Sequence, residues 1–225
     1  TKQQVSELTQ KKITSIPFWV NKSIWYEIKN KKNLFKKYGF DHEDYFIGSF
    51  QRDSEGKDVS KPKLSKGPDR FLEIVKELKK SKKVHVILTG RKRNYLINEL
   101  NKNDIKYSYF EMATFEDMNE LYNCLDLYIV ASRFEGGPQA ILECGITKTP
   151  IISTDVGVAS EILHSESIFV EGEFKTAVNV ANNLGKAGTV KVEGIPDRIN
   201  FDIKVTMDSD RVASAMLKTK KFVVA

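Results

Sequence analysis

Residues 125–154 read LDLYIVASRFEGGPQAILECGITKTPIIST. LDLYIVAS (125–132) is an apolar run of strand type, and PIIST (150–154) is another. Between them lie a turn with Gly136, Gly137 and Pro138 and a short apolar helix pattern, PQAILECGI. Strand, glycine turn, helix and strand in that order are the repeating unit of a parallel sheet.

The same alternation runs outward on both sides. YFIGSF (45–50) reads as a buried strand. GPDRFLEIVKELKK (67–80) places Phe71, Leu72, Val75 and Leu78 at helical spacing, with Pro68 in the first turn. VHVILTG (84–90) is a strand ended by glycine, YLINELNK (95–102) a short helix and YSYFEM (107–112) a strand. FEDMNELYNC (115–124) is a helix, with Thr114 as its N-cap and acidic residues in its first turn. Downstream come a short helix near ASEIL (159–163), a strand SIFV (167–170) and a helix over 174–184. The expected fold is α/β, a Rossmann-like parallel sheet with helices on both faces. Residues 1–25 read as a hinge segment and 26–186 as the Rossmann-like domain. Residues 187–225 read as a weakly patterned tail with a last helix over 207–220.

In such sheets ligands bind at the carboxyl ends of the strands. Two turns lie at such ends. One is the glycine turn after 125–132. The other is QRDSEGKDVSKPKLSKG (51–67), long, basic and without an apolar pattern.

Composition sets the outer limits. The chain has 225 residues, 40% of them hydrophobic and 29% charged, enough apolar content to exclude disorder. Lys+Arg outnumber Asp+Glu by 36 to 30, which suits anionic partners or a lysine-rich solvated surface equally. Two cysteines without a CxxC spacing, and no signal peptide, point to a reducing cytoplasm. No apolar run approaches a membrane span. The chain starts at Thr1 within a polar pattern, so a fragment of a longer protein is expected.

Glu135 and Glu143 bracket the glycine turn and the helix, with seven residues between them. Eight residues along a helix span about 12 Å, whereas glycosidase acid–base pairs sit roughly 5 to 9.5 Å apart. Separate roles therefore fit better than one shared acid–base site. Glu143 stands among Ala140, Ile141, Leu142, Cys144, Gly145 and Ile146, where a charge needs a reason. A carboxylate that accepts two hydroxyl hydrogen bonds is a common way to hold a ribose. Gly136, Gly137, Pro138 and Gln139 open a helix after a strand, where free N–H groups attract anions; a plain tight turn reads the same way. Pro138 suits the first helical position. In the basic loop, Arg52 follows the strand end, and Lys57 and Lys66 come after it, Lys66-Gly67 at the start of a helix. Two cations and a helix start can neutralise a diphosphate. A solvated Lys/Arg loop is the bland alternative.

These residues resemble the C-terminal, donor-binding half of a GT-B glycosyltransferase of the family 4 type, also called glycosyltransferase group 1. The family's E-x7-E stands here as Glu135-GGPQAIL-Glu143. ASRFEGGPQAILECGITKTPIISTDVGVASEIL (131–163) is similar to the family's strand, glutamate–glycine turn, helix, strand and "vGg-x-x-E" turn. ITSIPFWVNKSIWYE (13–27) resembles its inter-domain segment, and IGSFQRD…LSKGPDRFLEIVKEL (47–78) its "G-R", "K-G" and helix. The resemblance covers roughly residues 10–185. It implies that Arg52 and Lys66 hold the donor diphosphate, with Lys57 as the alternative. It further implies that Glu135 contacts the transferred sugar, that residues 136–139 present backbone to sugar and phosphate, and that Glu143 binds the ribose. It implies too that the loop from Glu111 to Ala113, with Met112, borders the base.

The implied activity is retaining transfer of a sugar from a nucleoside-diphosphate sugar to an acceptor such as a polysaccharide or glycolipid precursor. It needs no metal and no cofactor. An N-terminal half would bind the acceptor, so this half alone would bind donor without turnover. Nucleic acid is not expected as a partner, and peripheral contact with an anionic membrane face is. This chain departs from the family pattern at Ala131-Ser132, at Glu-Gly-Gly-Pro (135–138), at Phe18-Trp19 and in a longer loop over 53–65. The competing class is a non-catalytic Rossmann-like module for a nucleotide or nucleic acid. It leaves Glu135 and Glu143 unexplained, because carboxylates repel a polyanion. His42, His85 and His164 are scattered, with His85 expected to pack, and Cys144 is expected to pack as a small apolar residue. No cluster has metal-ligand spacing. Trp19 and Trp25 are expected to pack the hinge and, in an isolated half, to be partly bare.

Overall fold

The structure, a computed structural model, describes residues 7–11, 20–56, 60–170 and 177–178. The chain divides into two units, Thr1–Ile195 and Pro196–Ala225, and every described residue lies in the first. The helix expected over 207–220 lies outside the described residues. So does most of the one expected over 174–184, of which Ala177 and Val178 are helical and buried.

Strands β1 (Tyr45–Ser49), β2 (Val84–Thr89), β3 (Lys106–Phe110), β4 (Leu127–Val130), β5 (Ile151–Thr154) and β6 (Ile168–Phe169) form one sheet. Their order is β3-β2-β1-β4-β5-β6, and each pairing is parallel. The chain winds outward from β1 to β3, then returns to the other side of β1 for β4 to β6. Right-handed crossovers in opposite directions put the helices on both faces. The strand order reverses between β1 and β4, and their carboxyl ends make the crevice where such folds take ligands.

The helices are α1 (Lys32–Tyr38), α2 (Pro68–Lys79), α3 (Asn94–Lys102), α4 (Phe115–Cys124), α5 (Gln139–Thr147) and α6 (Ala159–Ile162). The core joins Ile47, Val86, Leu88, Ile129 and Ile152 of the sheet to Phe71, Ile74, Val75 and Leu78 of α2. Thr114 caps α4 as expected: its hydroxyl accepts from Asp117 N at 3.1 Å, and Asp117 Oδ2 accepts from Thr114 N at 3.0 Å.

Boundaries shift where side chains leave the ladder. β3 ends at Phe110, so Glu111 and Met112 lie in the turn beyond it. β4 covers Leu127–Val130, because Leu125 closes α4 and Ala131 and Ser132 already belong to the ligand-end loop. Pro138 is the cap of α5, in extended geometry (φ −68°, ψ 110°), and the helix begins at Gln139. The Gly157 turn packs there. A Cβ on Gly157 would lie 2.8 Å from Gly137 Cα and 2.9 Å from the Pro138 ring, which fixes the path of the chain.

Trp25 is not bare; it is only 5% exposed. The segment around it is strapped to α4. Tyr26 N donates to Asn119 Oδ1 at 3.0 Å, Ile28 N to Asn123 Oδ1 at 2.7 Å, and Asn123 Nδ2 back to Tyr26 O at 3.0 Å. Trp19 lies outside the described residues.

His85 packs, as expected, at the amino end of the sheet. Asp44 is buried there with the Lys106 ammonium 2.6 Å away, the Lys83 ammonium 3.0 Å away and His85 Nδ1 at 3.0 Å, while His85 Nε2 meets Ser108 Oγ at 2.9 Å. Burial pushes the Asp44 pKa up, but hydrogen bonds from Lys106, Lys83 and His85 outweigh it and hold the carboxyl at about 2. The folded value lies below the ordinary one. Asp44 therefore stabilises the fold above about pH 4, and that contribution is lost as pH falls towards 2. Both lysines are exposed, which limits the effect to roughly 1–2 kcal/mol. Acid denaturation of Asp44→Asn against wild type measures it: the two stability curves should converge near pH 2 and separate above pH 4.

Candidate active site

The site is built where the loops after β1 and β4 meet. Arg133 makes the joint. Its guanidinium forks onto Asp69, NH1 to Oδ1 at 2.8 Å and NH2 to Oδ2 at 2.6 Å, and NH1 also donates to Leu64 O at 2.8 Å. Its backbone N–H donates to Ser65 O at 2.9 Å. Gly67 lies on the contact itself, at φ 62°, and a Cβ there would sit 1.8 Å from Ala131 O. The two loops touch backbone to backbone, and glycine is the residue that permits it.

That contact brings Lys66 and Glu135 together. The Lys66 ammonium is ion-paired to Glu135 Oε1, and Ser132 Oγ donates to the same oxygen at 3.0 Å. Gln51 Nε2 donates to Lys66 O at 3.1 Å. Arg52, next along the chain, is exposed and pairs with nothing among the described residues. Lys57 lies outside them. Gly136 has open space on its side-chain face, and neither Gly136 nor Gly137 takes a left-handed φ. The room at Gly136 is therefore available to a ligand rather than demanded by the turn. Gln139 is exposed at the first turn of α5.

Glu143 stands apart from this cluster. It sits one turn before the end of α5, and its Oε2 accepts from Tyr122 OH at 2.7 Å. Burial raises its pKa to about 7, against the lowering effect of that hydrogen bond. Met112 is 70% exposed beyond β3, and its sulfur lies 3.5 Å from Arg91 NH2. The structure thus joins Lys66 to Glu135, and it gives neither Arg52 nor Met112 a contact with them.

Two residues escape sequence reading. Arg93 is 1% exposed, and its side chain binds Asp53 Oδ2 (2.6 Å), Ser49 O (2.6 Å), Thr89 O (2.8 Å) and Ser49 Oγ (3.0 Å). It ties the carboxyl ends of β1 and β2 together and anchors the basic loop at its base. The loop is further closed by a Ser54–Pro62 bridge and by Lys63 N donating to Asp53 O at 2.6 Å. Within RKRN (91–94), Arg93 looks like its exposed neighbour Arg91. The other residue is Tyr122, whose place in the α4 pattern is that of an ordinary core aromatic. Among the described residues no group of three His, Cys, Asp or Glu could hold a metal ion, and no helix is long and apolar enough to cross a membrane.

The fold and the paired loops define a Rossmann-like α/β domain with a crevice at its strand-order reversal, the place where such folds take ligands. The chain belongs to the glycosyl transferases group 1 family, which matches residues 59–185. A comparison with curated proteins finds no match. Among solved structures it is similar to a sucrose-phosphate synthase from Thermosynechococcus elongatus, with 12% identity and a TM-score of 0.61 over 75% of this chain and 42% of that one. It is also similar to Anabaena Alr3699/HepE in complex with UDP-glucose, with 17% identity and a TM-score of 0.60 over 77% of this chain and 48% of that one. A third is the C-terminal domain of the group 1 glycosyl transferase LpcC from Francisella tularensis, with 20% identity and a TM-score of 0.57 over 73% of this chain and 87% of that one. The chain spans less than half the length of the first two. Likeness at these identities concerns the fold.

Proposed function

We propose that this chain is the donor-binding half of a retaining glycosyltransferase that moves a sugar from a nucleoside-diphosphate sugar to a polysaccharide or glycolipid acceptor. The carrying observation is the Lys66–Glu135–Ser132 cluster, held by the Arg133 joint at the strand-order reversal. Family membership supports the reading, and so does the UDP-glucose bound in the Anabaena relative.

Lys66 and Glu135 neutralise each other as an ion pair. An arriving diphosphate competes for the Lys66 ammonium and releases Glu135 to accept from a sugar hydroxyl. As the anomeric bond breaks, charge gathers on the diphosphate. Lys66, Arg52 and the N–H groups that open α5 stabilise it. Glu135 holds the oxocarbenium-like sugar by charge and hydrogen bonding. Glu143, in its apolar surroundings, accepts from the ribose. No metal or cofactor is required in this scheme. An acceptor-binding half supplies the remaining groups, so the chain alone binds donor without turnover, in the cytoplasm and at an anionic membrane face.

Calorimetric titration with UDP, GDP, ADP and a mixed oligonucleotide tests this. One nucleoside diphosphate should bind with micromolar to millimolar affinity, weakened about tenfold or more by Lys66→Ala, since a charged hydrogen bond to phosphate contributes about 1.5–3 kcal/mol. Lys57→Ala in parallel decides between the two lysines. Salt-sensitive oligonucleotide binding without nucleotide preference would favour a nucleic-acid module and sink the donor-site reading.

A further inference from the structure

Glu143 does not stand alone, and what holds it is built as carefully as the loop joint. Tyr122 OH donates to Glu143 Oε2 across the α4–α5 interface. The two backbones are tied by a second route. Thr149 Oγ1 donates to Tyr122 O at 2.8 Å, and the Thr147 hydroxyl lies 2.7 Å from it and 2.9 Å from Glu143 O. The Tyr122 ring, 1% exposed, is wedged edge-on by Trp25 (centroids 5.6 Å) and Phe50 (4.6 Å), with Tyr128 tilted against it at 5.3 Å. Phe50 is the residue after β1, two before Arg52, and its N–H donates to Tyr128 OH at 3.0 Å. One aromatic cluster therefore spaces the Glu143 helix from the Arg52 loop.

A tyrosine that ends on a carboxylate oxygen leaves the other oxygen for a ligand. We propose that Tyr122 is a positioning residue of the nucleoside subsite: its hydroxyl fixes Glu143 Oε2 and turns Oε1 to a ribose hydroxyl, an assignment that rests on the donor-site reading above. The same bond keeps Glu143 ionisable at neutral pH. Burial raises the carboxyl and Tyr122 pulls it back, to about 7. The other ionisable groups facing it from α4, β4 and α5 are Tyr122, Tyr128 and Cys144, all kept neutral by burial. Loss of the hydroxyl leaves Oε2 without its donor and moves the Glu143 pKa upward. The ribose hydroxyls donate, and an ionised carboxylate accepts from them more strongly than a protonated one, so binding should strengthen as pH rises through the Glu143 pKa.

The test uses the full chain as wild type, Tyr122→Phe, Glu143→Gln and the double variant. The tightest of UDP, GDP and ADP is titrated from pH 5.5 to 9, with the Glu143 carboxyl followed by carbon NMR. Tyr122→Phe keeps the ring, and thermal unfolding checks the fold. The expected result is a binding midpoint raised by about one pH unit, with affinity about fivefold lower at pH 7 and restored near pH 9. In the Glu143→Gln background, Tyr122→Phe should add no further loss. Wild-type affinity with an unmoved midpoint in Tyr122→Phe overturns the assignment and leaves the donor site standing. A loss equal at all pH values is a packing effect and also overturns it. A wild type that binds none of the three diphosphates overturns the donor-site reading and this assignment with it.

Discussion

Gly67→Ala is expected to destabilise the protein by about 3 kcal/mol or more and to abolish diphosphate binding. Two costs add at this position. A Cβ in the left-handed region costs about 1–2 kcal/mol by itself. The new methyl would also stand 1.8 Å from Ala131 O, a backbone atom with no rotamer to give way. The loops must separate, which breaks the Arg133 N–H to Ser65 O bond and draws Lys66 from Glu135. For a chain of this size the melting temperature should fall by about 6–12 °C. Gly136→Ala is the control: its side-chain space is empty and its φ ordinary, so stability should change by less than about 1 kcal/mol. Differential scanning calorimetry of the pair checks both. A Gly67→Ala protein as stable as Gly136→Ala would contradict the loop joint.

Arg93→Met is expected to cost about 3–5 kcal/mol, because it strands a buried charge. Arg93 is enclosed, and burial lowers its own pKa against the opposing Asp53 carboxylate. Without it, Asp53 stays inside the fold with only Ser54 Oγ and Leu96 N to meet its other oxygen, and Ser49 O and Thr89 O lose their donor. The loop base then opens, which displaces Arg52, the residue before Asp53, so nucleotide binding should weaken although Arg93 stands behind the loop. Adding Asp53→Asn to Arg93→Met removes the stranded charge and should recover part of the loss. Urea unfolding of the single and double variants measures it, and equal stability of the two would show that the charge is not the cause.

Much of this was readable along the chain because it is local. A parallel sheet is announced by apolar runs alternating with helical spacing, and each of the six strands formed where such a run stood. The Thr114 cap depends on a residue three positions away, and it formed as the spacing requires. The family match covers residues 59–185, a stretch that includes Glu135 and Glu143 in their turn and helix.

What the chain order left open depends on partners distant in sequence. Lys66 finds Glu135 only because β1 and β4 are neighbours, so their loops share one crevice. Pro138 caps the helix rather than beginning it, and Gly157, from another turn, packs against it so closely that a Cβ would not fit. Arg93 and Arg91 are the same residue type two positions apart, and only burial against Asp53 separates an internal anchor from a surface charge. Periodicity and turn chemistry, being local, determined the elements and named the two carboxylates. Packing, being long-range, decided their company: Lys66 and Ser132 for Glu135, and for Glu143 a tyrosine hydroxyl in a dry aromatic cluster that lifts its pKa to the edge of ionisation.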